Sequence, residues 1–151
     1  MNIDTKPYGT IEIDQSKTVN FDQGLFGFED KTDYVIIGKQ EEQPFEWLQS
    51  LHDPELAFVI IQPHFIRENY QLSVLPDDLQ DVGADDTQDV ITYVIVTIPE
   101  DPDQMTVNLK GPLIVNQQTF QGKQVINQVD EYTVRHRVVD ESTTVSEGEG
   151  S

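Results

Sequence analysis

Cysteine is absent from this chain of 151 residues, so no disulfide framework, thiolate zinc site or cysteine nucleophile is available. That absence suits a reducing compartment. Cationic side chains are scarce: 9 Lys and Arg stand against 28 Asp and Glu, for a formal net charge of −19. Such a surface repels nucleic-acid phosphates and anionic lipid heads, which argues against direct binding to either. It attracts basic proteins and speeds their encounter at low salt; solubility alone is the bland alternative. Long apolar runs are missing as well. The longest mostly apolar stretch, Val90 to Ile98, is interrupted by Thr92, Tyr93 and Thr97. It falls far short of the ~20 residues of a membrane helix. The start, Met1 to Pro7, has neither the basic flank nor the apolar run of a secretory signal. The expectation is a soluble, cytoplasmic protein with one domain.

Short runs rich in Val, Ile, Thr, Tyr and Phe, split by Gly, Pro, Asn and Asp, predict strands and turns. Candidate strands are Thr10–Asp14, Val19–Phe21, Tyr34–Ile37, Phe45–Leu51, Leu56–Ile61, Gln71–Leu75, Val90–Ile98, Thr106–Leu109, Leu113–Asn116 and Lys123–Ile126. Leu56–Ile61 is a continuous apolar run, suited to a strand covered on both faces. Helix is limited to one or two short turns. Pro76 to Gly83 has proline at its start, acids in its first turn and a closing glycine; His64 to Tyr70 is a second candidate turn. The spacing predicts an all-β, small antiparallel barrel-like domain over residues 1–137. Residues 138–151 are acidic and rich in Ser, Thr and Gly, the composition of a disordered tail.

Catalytic signatures are sparse. Ser50, His52 and Asp53 are close in sequence, but on a strand Asp53 would point away from the other two, which a triad forbids. His64 and Glu68 are half of a metal site at best. The acids of Asp77–Asp89 could serve a metal-dependent hydrolase, or form a solvated face. Gly24 and Gly27 lack the spacing of a phosphate loop and fit turns with positive φ. Phe26, Phe28, Phe65 and Tyr70 are either core anchors or exposed contacts for a partner. Trp47 fits the core. Lys123, Arg135 and Arg137 gather around His136, for local pairing with acids or for a phosphate.

Four blocks together resemble one family. They are Gly24-Leu25-Phe26-Gly27-Phe28-Glu29; Leu48-Gln49-Ser50 with Asp53-Pro54-Glu55-Leu56-Ala57-Phe58 and Pro63; Val96-Thr97-Ile98-Pro99-Glu100-Asp101-Pro102 with Met105–Leu109 and Gly111–Asn116; and Gln124-Val125-Ile126 with Tyr132 and Arg135-His136. In this order they are similar to the flagellar assembly factor FliW family, over about residues 1 to 137. Members often have proline where this chain has Phe26. The resemblance implies a compact barrel-like fold and no enzymatic activity or cofactor. It implies two alternating partners, flagellin and the RNA-binding translational repressor CsrA, whose antagonism relieves repression of flagellin translation. The free protein is expected to be a monomer. Candidate partner contacts are Phe26, Phe28 and Glu29 in the turn, Phe65 and Tyr70, and the acids Glu100, Asp101 and Asp103. An alternative reading is an acidic nucleic-acid mimic that blocks some other basic protein.

Overall fold

The computed structural model describes residues 1–138. The segment expected to be a tail lies, from position 139 onward, outside the described residues. The chain opens with a hairpin of β1 (Asn2–Thr5) and β2 (Gly9–Glu12). Gly9 has φ +69°, the left-handed exit that a three-residue hairpin loop requires. A meander follows: β3 (Thr18–Asn20), β4 (Asp33–Ile37), β5 (Glu46–Ser50) and β6 (Ala57–Ile61), each antiparallel to the next. The helix α1 (Pro76–Asp81) precedes β7 (Val90–Thr97), which pairs with β6.

β8 (Thr106–Val107) and β9 (Leu113–Asn116) both pair with β7. They are two pieces of one strand. The register slips by three residues between them, across a stretch containing Gly111 and Pro112, where proline has no N–H to give a ladder. β10 (Gly122–Gln124) adds to β9, and β11 (His136–Arg137) adds to β8.

The expected barrel is not formed. The main path runs β10-β9-β7-β6-β5-β4-β3, seven strands with antiparallel neighbours. With an odd number of alternating strands, the two ends run in the same direction, so closure would need a parallel ladder. Only one parallel bridge spans the gap, Asn20 with Gln121, where the Asn20 N–H donates to the Phe120 carbonyl at 3.0 Å. Phe21, fully buried, then leads the chain away into the Gly24 turn. The sheet is curled but open.

Alternation assigns side chains to its two faces. Leu48, Ile60, Tyr93, Leu113 and Val115 meet Val19, Phe21, Leu25 and Tyr34 in the main core. On the other face, Ile61, Val94 and Val96 pack with Val107, Leu109 and Tyr132. Val90 and Ile114 are covered by Leu79 and Val82. The central strands are thus apolar on both sides, as the run Leu56–Ile61 predicted.

Gln71–Leu75 is not a strand. Its polar backbone groups find side chains instead of a ladder: the Gln71 N–H donates to the Tyr132 hydroxyl (2.7 Å) and the Ser73 N–H to Asn127 Oδ1 (3.2 Å). His64–Tyr70 does turn, opening with a 3-10 turn over Pro63–Phe65. The compact unit reaches one residue past the expected boundary, because Val138 packs beside the second core and its N–H donates to the Met105 carbonyl at 3.1 Å.

Glu46 on β5 is a partly buried carboxylate on the main-core side, and burial raises its pKa above the usual 4.5. The folded state therefore holds this proton at higher pH than the unfolded chain does. Its contribution disfavours folding at neutral pH, and that penalty disappears as pH falls through the folded pKa and below 4.5. Glu46→Gln is accordingly expected to raise the thermal midpoint at pH 7, with the advantage over the parent shrinking towards pH 4. An advantage that widened on acidification would contradict this assignment.

Candidate functional site: an apolar groove between two acidic loops

β5 and β6 place Trp47 opposite Val59, and β6 and β7 place Val59 opposite Val96, all on the face away from the main core. Two residues beyond Val96, Ile98 leaves the sheet half exposed. Trp47, Val59 and Ile98, with Phe45, Met105 and Glu42, line a groove of about 320 Å³. Trp47 is only partly buried, so the expected core tryptophan is a surface feature instead.

Two acidic loops flank this apolar floor. One holds the 3-10 turn Gln40–Glu42, with Glu41 exposed. The Tyr8 hydroxyl of the hairpin donates to Glu42 Oε1, and Lys39 lies 4.5 Å over the Tyr8 ring. Partial burial and the Glu42 carboxylate push the Tyr8 phenol up to about 12. The other loop holds Glu100, Asp101 and Asp103, all exposed. Asp101 Oδ1 accepts from the Asp103 N–H at 3.0 Å and caps the 3-10 turn Pro102–Gln104. Arg137 donates to the Asp103 carbonyl at 3.3 Å, tying β11 to this loop.

The Gly24 turn is elsewhere. Leu25 is its buried anchor, which sequence reasoning missed, while Phe26 is 51% exposed. Gly24 and Gly27 have φ of +66° and +87°, as their turn role predicted. Phe28 sits edge-on to Phe58 at 5.3 Å, and Glu29 Oε2 accepts from the Gly27 N–H. Phe58 and Val59 point to opposite faces of β6. The structure therefore separates the Phe26–Glu29 turn from the Glu100–Asp103 loop.

Phe65 is exposed against the His64 ring. Tyr70 is engaged internally: it stacks on Tyr132 at 4.6 Å and donates to the Leu109 carbonyl at 2.7 Å. Burial pushes its phenol up to about 12.

The features considered for catalysis have local roles. The Ser50 hydroxyl accepts from the N–H groups of His52 and Asp53, and the His52 ring meets Asp33 at 3.2 Å. Asp78 and Asp81 clamp Lys123 at 2.8 and 2.7 Å, which ties β10 to α1. Burial alone would lower the Lys123 pKa, but the two carboxylates more than offset it and hold it above its ordinary value. Asp89 Oδ2 accepts from the N–H groups of Asp85 and Asp86. Among the described residues, no three His, Asp or Glu side chains converge as a metal site would need. Ion pairs between described residues engage Asp30, Asp33, Asp78, Asp81 and Glu131, five of the 24 Asp and Glu within residues 1–138. No helix among the described residues is long and apolar enough to cross a membrane.

Fold and site together define an all-β protein whose distinctive feature is its surface, an apolar groove beside exposed carboxylates. The FliW protein family matches residues 2–138. The chain is 39% identical to the flagellar assembly factor FliW of Leptospira biflexa serovar Patoc, over 97% of this chain and 96% of that one. It is 37% identical to the flagellar assembly factor FliW of Thermoanaerobacter pseudethanolicus, over 93% and 95%. A crystal structure of the flagellar assembly factor FliW superposes with a TM-score of 0.83 at 36% identity, covering 91% of this chain and 96% of that one. The chain belongs to the FliW family, of non-catalytic regulators of flagellar assembly.

Proposed function

We propose that this protein works in the cytoplasm, as a monomer when free, and binds flagellin and CsrA alternately. Capture of CsrA antagonises its hold on RNA and so relieves repression of flagellin translation. The observation that carries this reading is the acidic excess at the described surface: residues 1–138 contain 24 Asp and Glu, and the ion pairs between described residues engage five of them. A repressor that binds RNA must present Lys and Arg to phosphates. A strongly anionic protein docked beside that surface weakens RNA binding by repulsion and counter-charge, without filling the RNA site. Glu100, Asp101 and Asp103 are the acids nearest this contact in our reading, and Phe26 and Phe28 offer a separate apolar contact on the opposite face.

Titrations of the protein against purified CsrA and against flagellin, each at ~50 and ~300 mM salt, test this. Affinity for CsrA should fall steeply with salt, because screening shortens the reach of surface charge. Absence of binding to both proteins at low salt would remove the proposal.

A further inference from the structure

We propose that the Trp47 groove receives a short, cationic amphipathic segment of a partner protein, which seats bulky apolar side chains on Trp47, Val59 and Ile98 while its Lys or Arg residues face the flanking acids. This rests on the reading of the protein as a binder of basic proteins, and it specifies where and through what chemistry one partner is held.

The floor fits an apolar anchor. Its volume of about 320 Å³ has room for large aliphatic or aromatic side chains, and Ile98 leaves half its surface in water. Other apolar side chains are exposed too, Phe26 and Phe65 among them, but here Trp47, Val59 and Ile98 share one concave groove. The walls set the sign of the occupant. Glu42 lines the groove with Glu41 beside it, and Glu100, Asp101 and Asp103 lie in the chain between the lining residues Ile98 and Met105; these five acids outnumber the two cations at these loops, Lys39 and Arg137. Low-dielectric floor between two lines of like charge focuses negative potential into the groove.

The chain's own acidic end is the competing occupant. It emerges at the groove, because the Val138 N–H is bonded to the carbonyl of Met105, one of the lining residues. Its charges are of the same sign as the walls: Asp140, Glu141, Glu147 and Glu149, with no Lys or Arg. Like charges repel, so the walls favour a cationic segment from another protein over an acidic one.

Trp47 is the only tryptophan in the chain, so its emission reports on the groove. The probe is a synthetic helical peptide with leucines three and four residues apart and lysines on the remaining positions. A control peptide keeps the lysines and replaces the leucines with serine. The leucine peptide should shift Trp47 emission to the blue and protect it from acrylamide, and the serine peptide should not. Ile98→Ser should weaken the leucine peptide about tenfold, as loss of an apolar anchor does. Leu75→Ser, at an exposed aliphatic side chain outside the groove lining, should leave it unchanged. No shift with the leucine peptide, an equal shift with the serine peptide, or a red shift caused merely by truncation after Val138 would each overturn the assignment. The last result would place the chain's own end in the groove. If CsrA or flagellin binds the protein and Ile98→Ser weakens neither, the groove assignment fails and the proposed function stands. If neither binds while the peptide result holds, the reverse is true.

Discussion

Asn127→Ala should lower the stability of the protein by about 3–5 kcal/mol, the largest loss we expect from a single side chain. Asn127 is fully buried. Its Oδ1 accepts from the N–H groups of Ser73 and Val129, and its Nδ2 donates to the Tyr70 hydroxyl and the Gln71 carbonyl, at 2.8–3.2 Å. Two of these four, to the Ser73 N–H and the Gln71 carbonyl, stand in for the ladder that Gln71–Leu75 lacks. Alanine would take the partner from the part-buried Ser73 and Val129 N–H groups and the Gln71 carbonyl, at about 1 kcal/mol each, and would leave the fully buried Asn127 site partly empty. The thermal midpoint should fall by about 10 °C or more. Tyr70→Phe, which removes one hydroxyl from the same network, should cost only about 1–2 kcal/mol. Equal losses for the two variants would show that Asn127 does not hold the network together.

Gly24→Ala should cost about 2–4 kcal/mol, and Gly27→Ala clearly less, although the two glycines frame the same turn. Both have positive φ, which an L residue adopts at a cost of roughly 1–2 kcal/mol. The difference lies in space. A Cβ on Gly24 would come within 2.5 Å of the Glu29 Cα and 2.6 Å of the Phe28 carbonyl oxygen, while one on Gly27 would meet nothing within 4 Å. Backbone cannot swing aside as a side chain can, so the Gly24 variant must shift Phe28 and Glu29 bodily. Denaturant melts of the two variants separate these costs. Similar losses would mean that conformation alone, not the close approach, matters at Gly24.

The same turn illustrates how much of the fold could be read from residues. Glycine at positions of positive φ was legible, because no other residue adopts that backbone freely. Which aromatic faced the core was not. Leu25 is the anchor and Phe26 points outward, and turns have no periodicity from which to read sides. Strands with β-branched or continuous apolar character were found nearly in place: Leu113–Asn116 as expected, and Val90–Ile98 one residue too long. β1 and β11 were missed because two to four mixed residues leave no usable pattern. The barrel expectation failed on topology, since composition does not count strands or say that an odd number leaves parallel ends. The groove was hidden for a related reason. Trp47 looks like core in a strand, and only the pairing of β5 with β6 and of β6 with β7 brings it to the groove that Ile98 also lines. Glu100, Asp101 and Asp103 were legible as acids, but not as a wall.

In the proposed function, the acidic surface is what lets this protein act on a basic RNA-binding partner. The direct measurement follows a labelled RNA bound to CsrA while the protein is added, at ~50 and ~300 mM salt. We predict that RNA is released as the protein saturates CsrA, and that higher salt shifts release to greater protein concentrations. RNA that stays fully bound to CsrA at saturating protein, at low salt, would contradict it.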